Sequence, residues 1–143
     1  YTVLTAAHVV DGQDVALIVY GDVEVIALVE ARDEVNDLAR LKLSAPIETM
    51  PTTIGAVPTL GSEICVAAVV PQKRHRCGEV QPDAEAPGDI VHNIITEPGN
   101  SGSGVYNMSG ELVGIATHLW QCNATGQICG GKATSLFGRS IVP

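Results

Sequence analysis

The stretch "VALIVYGDVEVIALVEA", residues 15–31, predicts the fold class of this chain. Two apolar segments, 15–20 and 23–31, are separated by Gly21-Asp22, and a two-residue connection of this kind is typical of a β-hairpin. Helical periodicity is confined to a short turn around residues 6–10. The sequence therefore predicts an all-β barrel or sandwich. Further short strands are predicted at spacings of about ten residues, at 38–43, 63–70, 89–96, 103–108, 111–120 and 132–138.

The composition supports one sizeable domain or two small, closely packed halves. Of the 143 residues, 45% are hydrophobic and 3% aromatic, so the core is expected to consist of Val, Ile, Leu and Ala. The formal net charge of −8 argues against a nucleic-acid partner, because binding phosphates requires clustered cations. The one basic cluster, at residues 73–76, is predicted to be a solvated hairpin tip. No apolar segment reaches the roughly 18 residues of a membrane-spanning helix, so no membrane partner is expected.

The four cysteines suggest two local disulfide bonds. They occur as pairs close in sequence, Cys65 with Cys77 and Cys122 with Cys129, and they lack the CxxC spacing of a structural zinc site. Two such bridges would indicate an oxidising compartment, and therefore a secreted or extracytoplasmic protein. Free buried thiols are the alternative that the sequence leaves open.

Three fragments carry possible chemistry, in the order His8 in "TAAH" (5–8), Asp37 in "DLARLKL" (37–43) and Ser101 in "GNSGSG" (99–104). A serine hydroxyl is a poor nucleophile at neutral pH and needs a base within hydrogen-bond reach. Histidine suits that role because its ordinary pKa lies near neutrality. A carboxylate that holds the imidazole in the useful tautomer completes the arrangement. An α/β-hydrolase is a poor competitor, because it requires the order Ser, acid, His.

These fragments, together with "GELVGIATH" (110–118), resemble the trypsin/chymotrypsin-fold serine peptidases, and most closely their bacterial and viral branches such as the glutamyl endopeptidases and the Deg-type proteases. The resemblance covers nearly the whole chain. It implies two six-stranded antiparallel β-barrels, the first truncated at its N-terminal end because the family places further strands before the "TAAH" segment. The implied division is a partial first barrel at 1–48, a linker at 49–61 and a second barrel at 62–143.

The resemblance also implies roles for individual residues. His8 would be the general base, Asp37 its orienting carboxylate and Ser101 the nucleophile, with no cofactor and no metal. The backbone N–H groups of Gly99 and Ser101 would form the oxyanion hole. Asn100 stands where trypsins carry an aspartate, so activation through an N-terminal salt bridge is not expected. The implied substrate-binding residues are Ile95, Thr96, Thr117, His118 and Leu119.

The resemblance says less about the residue preferred at the cleavage site than about the catalytic residues. No aspartate occupies the pocket floor, so a preference for Lys or Arg is disfavoured. Thr96 matches a threonine with which members that prefer Glu or Gln bind the side-chain carbonyl, and His118 is a candidate specificity residue two positions later than their histidine. His92 is treated as an ordinary strand residue. A small-to-medium or Glu/Gln-like residue is therefore the expectation.

The expected function is a serine endopeptidase that acts on a polypeptide substrate through an acyl-enzyme intermediate. The alternative is an inactive or impaired peptide-binding module on the same scaffold, for which the short segment before His8 argues. A viral or phage protease that cuts its own polyprotein is a further possibility. The chain opens without Met on an apolar, strand-like segment, which indicates processing or truncation upstream.

Overall fold

A computed structural model describes residues 1–49, 52–68, 74–82 and 88–143. It shows an all-β protein, as the sequence predicts, with one short 3-10 turn at Ala7–Val10. Among the described residues, none forms a helix with the length and apolar character needed to cross a membrane. The described residues contain the strands β1 (Thr2–Thr5), β2 (Val15–Tyr20), β3 (Val23–Asp33), β4 (Leu38–Leu43), β5 (Glu63–Ala68), β6 (Arg74–Gln81), β7 (Asp89–His92), β8 (Gly104–Asn107), β9 (Leu112–Gln121) and β10 (Ile128–Ser135).

The strands form two units. The first is a four-stranded sheet in the order β1-β4-β3-β2, and the second is a closed barrel in the order β10-β7-β6-β5-β8-β9. The β2–β3 hairpin predicted from residues 15–31 is confirmed, with Tyr20 paired with Val23 across the Gly21-Asp22 turn. One closed six-stranded antiparallel barrel beside an open sheet is the truncated double-barrel architecture expected from the sequence. The division at 48/49 and 61/62 stays a prediction.

Several predicted strand limits differ from those observed. Strand β6 was missed, because its polar sequence RHRCGEVQ has a weak strand signal, yet pairing with β5 and β7 incorporates it into the barrel. The predicted strand 89–96 ends at His92; beyond it, Asn93 Oδ1 accepts from Glu79 N, and Ile94 N donates to the His92 ring. Strand β10 begins at Ile128, earlier than predicted, and ends at Ser135. Residues 69–70 of the predicted strand 63–70, and Lys73 of the predicted basic tip, lie outside the described residues.

Aliphatic side chains fill three clusters, as the low aromatic content predicts. One lies inside the barrel and includes Ile64, Val66 and Val105. A second lies on the inner face of the open sheet. The third joins the two units, because Ala6 and Leu38 from the first unit pack with Leu112, Ile115 and Leu136 from the barrel side of the molecule. Ala6, two residues before His8, and Leu38, directly after Asp37, therefore belong to the apolar contact between the units.

Candidate active site

The His8 side chain is exposed to solvent directly after two buried alanines. Ala6 and Ala7 are 0% and 1% exposed, whereas about half of the His8 side-chain surface is open. Small alanines allow the backbone to pack tightly at this point, and the 3-10 turn that follows β1 carries the imidazole outward. The sequence "AAH" thus has a structural explanation: two residues fix the backbone and the third is left accessible.

Three hydrogen bonds join the His8 segment to Asp37. Ala7 N donates to the Asp37 carbonyl at 3.1 Å, and His8 N donates to Asp37 Oδ1 at 2.8 Å. The second carboxylate oxygen, Oδ2, lies 2.6 Å from His8 Nδ1. With the carboxylate ionised, Nδ1 carries the proton and donates it, so Nε2 keeps a free lone pair. The predicted histidine–carboxylate pair is therefore brought together, in the tautomer that suits a general base.

Asp37 is the one non-glycine residue with positive φ (56°) in the described part of the chain. Such a conformation costs on the order of 1 kcal/mol or more and is retained where neighbouring contacts hold it. Asn36 supplies some of these contacts: its N and Nδ2 donate to the Asp33 carboxylate at 3.1 and 2.7 Å, and its carbonyl accepts from Thr134 Oγ1 at 2.8 Å. The Asn36 side-chain bond is the main cause that lowers the pKa of Asp33. The turn that carries Asp37 is thus held to both units.

The Ser101 loop is held by its own backbone and by Asn100. Asn100 is buried, its N–H donates to the Glu97 carbonyl at 3.1 Å, and its Oδ1 accepts from Glu97 N at 3.0 Å. Gly102 N donates to the Ala116 carbonyl on β9 at 2.8 Å. These bonds stabilise the loop, and the expectation that activation here does not depend on an N-terminal salt bridge stays a prediction.

Glycine is required on both sides of Asn100-Ser101. Gly99 and Gly102 have φ of 96° and 90°, which L side chains rarely adopt. A Cβ on Gly102 would also lie 2.5 Å from Thr5 Oγ1 at the end of β1. The absence of a side chain at Gly102 therefore lets the Ser101 loop approach the strand that leads to His8.

The N–H groups of Gly99 and Ser101 differ from those of their neighbours. Asn100, Gly102 and Ser103 all donate their backbone N–H groups to carbonyl oxygens. Within the described segments, the N–H groups of Gly99 and Ser101 have no protein acceptor. Two unengaged donors in one loop, one residue apart, form an arrangement suited to binding an oxyanion.

Ser101 is not hydrogen-bonded to His8 in the described structure. Its Oγ instead donates to the Thr117 carbonyl at 3.3 Å. The two side chains nevertheless border one region: Thr117 and His118 line both the cleft beside Ser101 and a cleft of about 430 Å³ beside His8. The ring centroids of His8 and His118 lie 5.9 Å apart. The structure thus places the three predicted catalytic residues around the same surface, with the His8–Asp37 contact made and the Ser101–His8 contact open.

The cleft beside Ser101 collects most of the predicted substrate-binding residues. Thr96, Thr117, His118 and Leu119 line it together with Ala116. Ile95 does not line it: its side chain is 49% exposed, and its carbonyl accepts from Arg76 Nη1 at 2.9 Å. Ile95 alternates with the buried Thr96, so its side chain points to the opposite face of the segment. A larger cavity, of about 720 Å³, lies beside β1 and is lined by none of His8, Asp37 or Ser101.

His92, which the sequence predicts to be an ordinary strand residue, lies in an unusual environment. It is 2% exposed inside the barrel, and burial lowers its pKa from the ordinary 6.5 to about 4. Its Nδ1 accepts the Ile94 N–H at 3.2 Å, so the neutral ring carries its proton on Nε2. Nε2 is buried and has no hydrogen-bond partner among the described residues. A lone histidine in a strand gave no sequence signal for this environment.

Of the two predicted disulfide bonds, the structure contains one and lacks the other. Cys65 and Cys77, directly paired across β5 and β6, form the first predicted disulfide. The second predicted bridge is wrong for this structure, because Cys122 and Cys129 are free thiols at the end of the β9–β10 hairpin. They lie close enough for a hydrogen bond between the thiols, which is the main cause that raises the pKa of Cys129.

Comparison with known proteins supports the architecture. Residues 1–115 match the family described as Trypsin-like peptidase domain. No curated protein sequence matches the chain. Two structures of the HtrA-type protease AlgW with a decapeptide, each 24% identical, superpose with TM-scores of 0.77 and 0.75; both comparisons cover 94% of this chain and 44% of the other. A serine endoprotease from Yersinia pestis, 22% identical, gives a TM-score of 0.75 and covers 94% and 49%. The chain thus spans less than half the length of these structures.

Proposed function

We propose, from the premise that this chain belongs to the trypsin-like peptidase family, that it is a serine endopeptidase with Ser101 as nucleophile. The observation that carries the proposal is the paired contact of His8 with Asp37, at 2.8 Å to the backbone N–H and 2.6 Å to Nδ1. This arrangement leaves Nε2 as a proton acceptor on the side of the imidazole that solvent and substrate can reach.

The chemistry follows the geometry in two half-reactions. Ser101 Oγ attacks the carbonyl carbon of the scissile peptide bond while its proton passes to His8 Nε2, and Asp37 stabilises the imidazolium. The N–H groups of Gly99 and Ser101 bind the negative oxygen of the tetrahedral intermediate. His8 then donates the proton to the leaving amine, and an acyl-enzyme forms. Water, deprotonated by His8, attacks the ester, and Ser101 regains its proton as the acid product leaves.

The transfer requires the Ser101 hydroxyl to leave the Thr117 carbonyl, to which it donates at 3.3 Å. Rotation about the Cα–Cβ bond is sufficient to redirect an exposed or half-buried hydroxyl, and catalytic hydrogen bonds in unliganded enzymes are often formed only when substrate binds. A bound peptide strand can also use the backbone of residues 117–119 as a pairing edge, by β-augmentation. The proposed partner is therefore an extended polypeptide segment.

The same Ser101–Thr117 bond favours the second candidate, a peptide-binding module without hydrolysis. In such a module, Ser101 and His8 would never form a hydrogen bond, and they form none in this structure. Peptide binding with equal affinity in the wild-type chain and in Ser101→Ala, and without cleavage in either, would support this candidate. The disulfide between Cys65 and Cys77 supports an extracytoplasmic location for either function.

A fluorophosphonate probe tests the endopeptidase proposal directly. The probe reacts with a serine that has an adjacent base, so the wild-type chain should be labelled on Ser101, and His8→Ala should reduce the labelling rate by a factor on the order of 10³ or more. Ser103→Ala, which removes the other hydroxyl of the same loop, is the matched control and should label as the wild type does. Absence of wild-type labelling, or equal labelling of His8→Ala, would contradict the proposal.

A further inference from the structure

Arg76 is an arginine at an inward-facing position of the barrel wall. It is directly paired with Val66 of β5, whose side chain belongs to the core inside the barrel. Directly paired residues of antiparallel strands place their side chains on the same face of the sheet. Although Arg76 ends the basic cluster 73–76 that the sequence predicts to be solvated, its side chain is only 15% exposed. It therefore differs from an ordinary surface cation.

Both hydrogen bonds of the Arg76 guanidinium go to one short segment. Nη1 donates to the Ile95 carbonyl at 2.9 Å, and Nη2 donates to Glu97 Oε1 at 3.1 Å. The N–H groups of arginine are fixed relative to one another in a plane, so a single guanidinium can hold two acceptors in a defined geometry. Because a cation that is largely removed from water needs partners, Arg76 stabilises the conformation of residues 95–97 that supplies them.

Glu97 connects this segment to the loop that carries Ser101. Its N–H donates to Asn100 Oδ1 at 3.0 Å, and its carbonyl accepts from Asn100 N at 3.1 Å. Gly99 lies inside the turn that these two bonds close, and Ser101 follows it directly. Their N–H groups are the two without a protein acceptor in the described loop. A displacement of Glu97 would therefore change the direction in which these donors point.

The turn has little packing of its own on its N-terminal side. Pro98 and Gly99 are exposed, and the Glu97 side chain is 41% exposed. Past Ser101, in contrast, Gly102 N donates to a carbonyl of β9 at 2.8 Å. Arg76 thus supplies on the N-terminal side of the turn the kind of anchor that β9 supplies on the other.

We propose that Arg76 is a positioning residue for the reaction at Ser101: through Ile95 and Glu97 it holds the turn 97–100 so that the N–H groups of Gly99 and Ser101 stay available to an oxyanion. This inference rests on the proposed endopeptidase function. Donors that stabilise a developing negative charge are effective when they are held in place before the reaction. Arg76 contributes to this without contacting the substrate.

The rate of fluorophosphonate labelling tests the proposal. In Arg76→Met, which keeps an apolar stem in the barrel wall, labelling of Ser101 should slow by a factor of roughly ten to a hundred, less than the loss of a whole oxyanion-hole donor. With a peptide substrate, kcat should fall more than KM rises, because the donors act mainly on the transition state. Arg40→Met is the matched control, because Arg40 also binds one carboxylate, of Glu30, and one carbonyl, of Ile141, each at 2.9 Å. It should lower the melting temperature comparably and label as the wild type does.

Glu97→Ala covers the case in which Arg76→Met does not fold, because it removes the carboxylate and leaves the barrel wall unchanged. It should also slow labelling. Combined with Arg76→Met, it should slow labelling no further than Arg76→Met alone, since the two residues act in one chain of contacts. Arg76→Lys should recover part of the rate through its charge. Wild-type labelling rates in Arg76→Met or Glu97→Ala, a loss that Arg40→Met shares, or full additivity of the two substitutions would overturn the proposal.

The amide resonances of Gly99 and Ser101 give a readout that does not require hydrolysis. In ¹⁵N-labelled protein, Arg76→Met should shift both resonances, and Arg40→Met should leave them in place. Unchanged resonances in Arg76→Met would overturn the proposal. If the wild-type chain is not labelled by the fluorophosphonate, the endopeptidase function is removed instead, and these resonances still decide whether Arg76 holds the loop.

Discussion

Acid should destabilise this fold through His92. Burial lowers its pKa from 6.5 to about 4, while the same histidine in the unfolded chain keeps the ordinary value. Between these two values the unfolded state binds a proton that the folded state does not, so the free energy of unfolding decreases as the pH falls through 6.5 and stops decreasing from this source below about 4. The difference corresponds to about 3 kcal/mol in full, and to about 2 kcal/mol between pH 7.5 and pH 5.

Urea unfolding at pH 7.5 and pH 5 measures this contribution. Other groups titrate in the same range, so the decisive quantity is the loss of stability on acidification in the wild type minus the loss in His92→Leu. We expect the variant to lose about 2 kcal/mol less than the wild type, whatever its absolute stability. His75→Ala should behave as the wild type. Equal losses in the wild type and His92→Leu, or an NMR titration that gives His92 a pKa near 6.5, would refute the reasoning.

Three further predictions follow from the site and its surroundings. Asp37→Asn should keep the fold but lower kcat for peptide hydrolysis by a factor on the order of 10⁴, because an amide cannot hold the imidazole in the required tautomer; a loss below tenfold would contradict the role. Gly102→Ala should lower the melting temperature more than Gly110→Ala, since both have positive φ but only the first would place a Cβ 2.5 Å from a neighbouring side chain; equal changes would show that the loop does not pack against β1. Alkylation without reduction should label Cys122 and Cys129 and leave the other cysteines unmodified, as peptide mass spectrometry would show.

The candidate catalytic residues could be predicted because their signals are local. "TAAH", "DLARLKL" and "GNSGSG" are each a few residues long, and each combines a reactive side chain with the small or apolar neighbours that its setting requires. Gly99 and Gly102, whose positive φ values are a property of single residues, lie in the last of these stretches. Among the predicted substrate-binding residues, Ile95 does not line the cleft beside Ser101, because one step along an extended segment reverses the direction of the side chain.

His92 and strand β6 show what such signals omit. The sequence of β6 is polar and ordinary, and it becomes a strand because β5 and β7 supply hydrogen-bond partners on both sides. His92 acquires part of its environment from Gly131, which is distant in the chain and becomes a neighbour only when the barrel closes.

The amino-acid sequence by itself determined that the chain is built of short strands, because strand periodicity and turn chemistry depend on neighbouring residues. It also determined that a histidine, an aspartate and a serine occur in the order of a known peptidase family. Only the tertiary structure decided which side chains share a cleft, that Asp37 engages His8 while Ser101 rests on Thr117, and that His92 is buried beside Gly131 with an unused donor. Those relationships arise from pairing between strands and from packing between the two units, and such contacts depend on distance in space rather than on position in the chain.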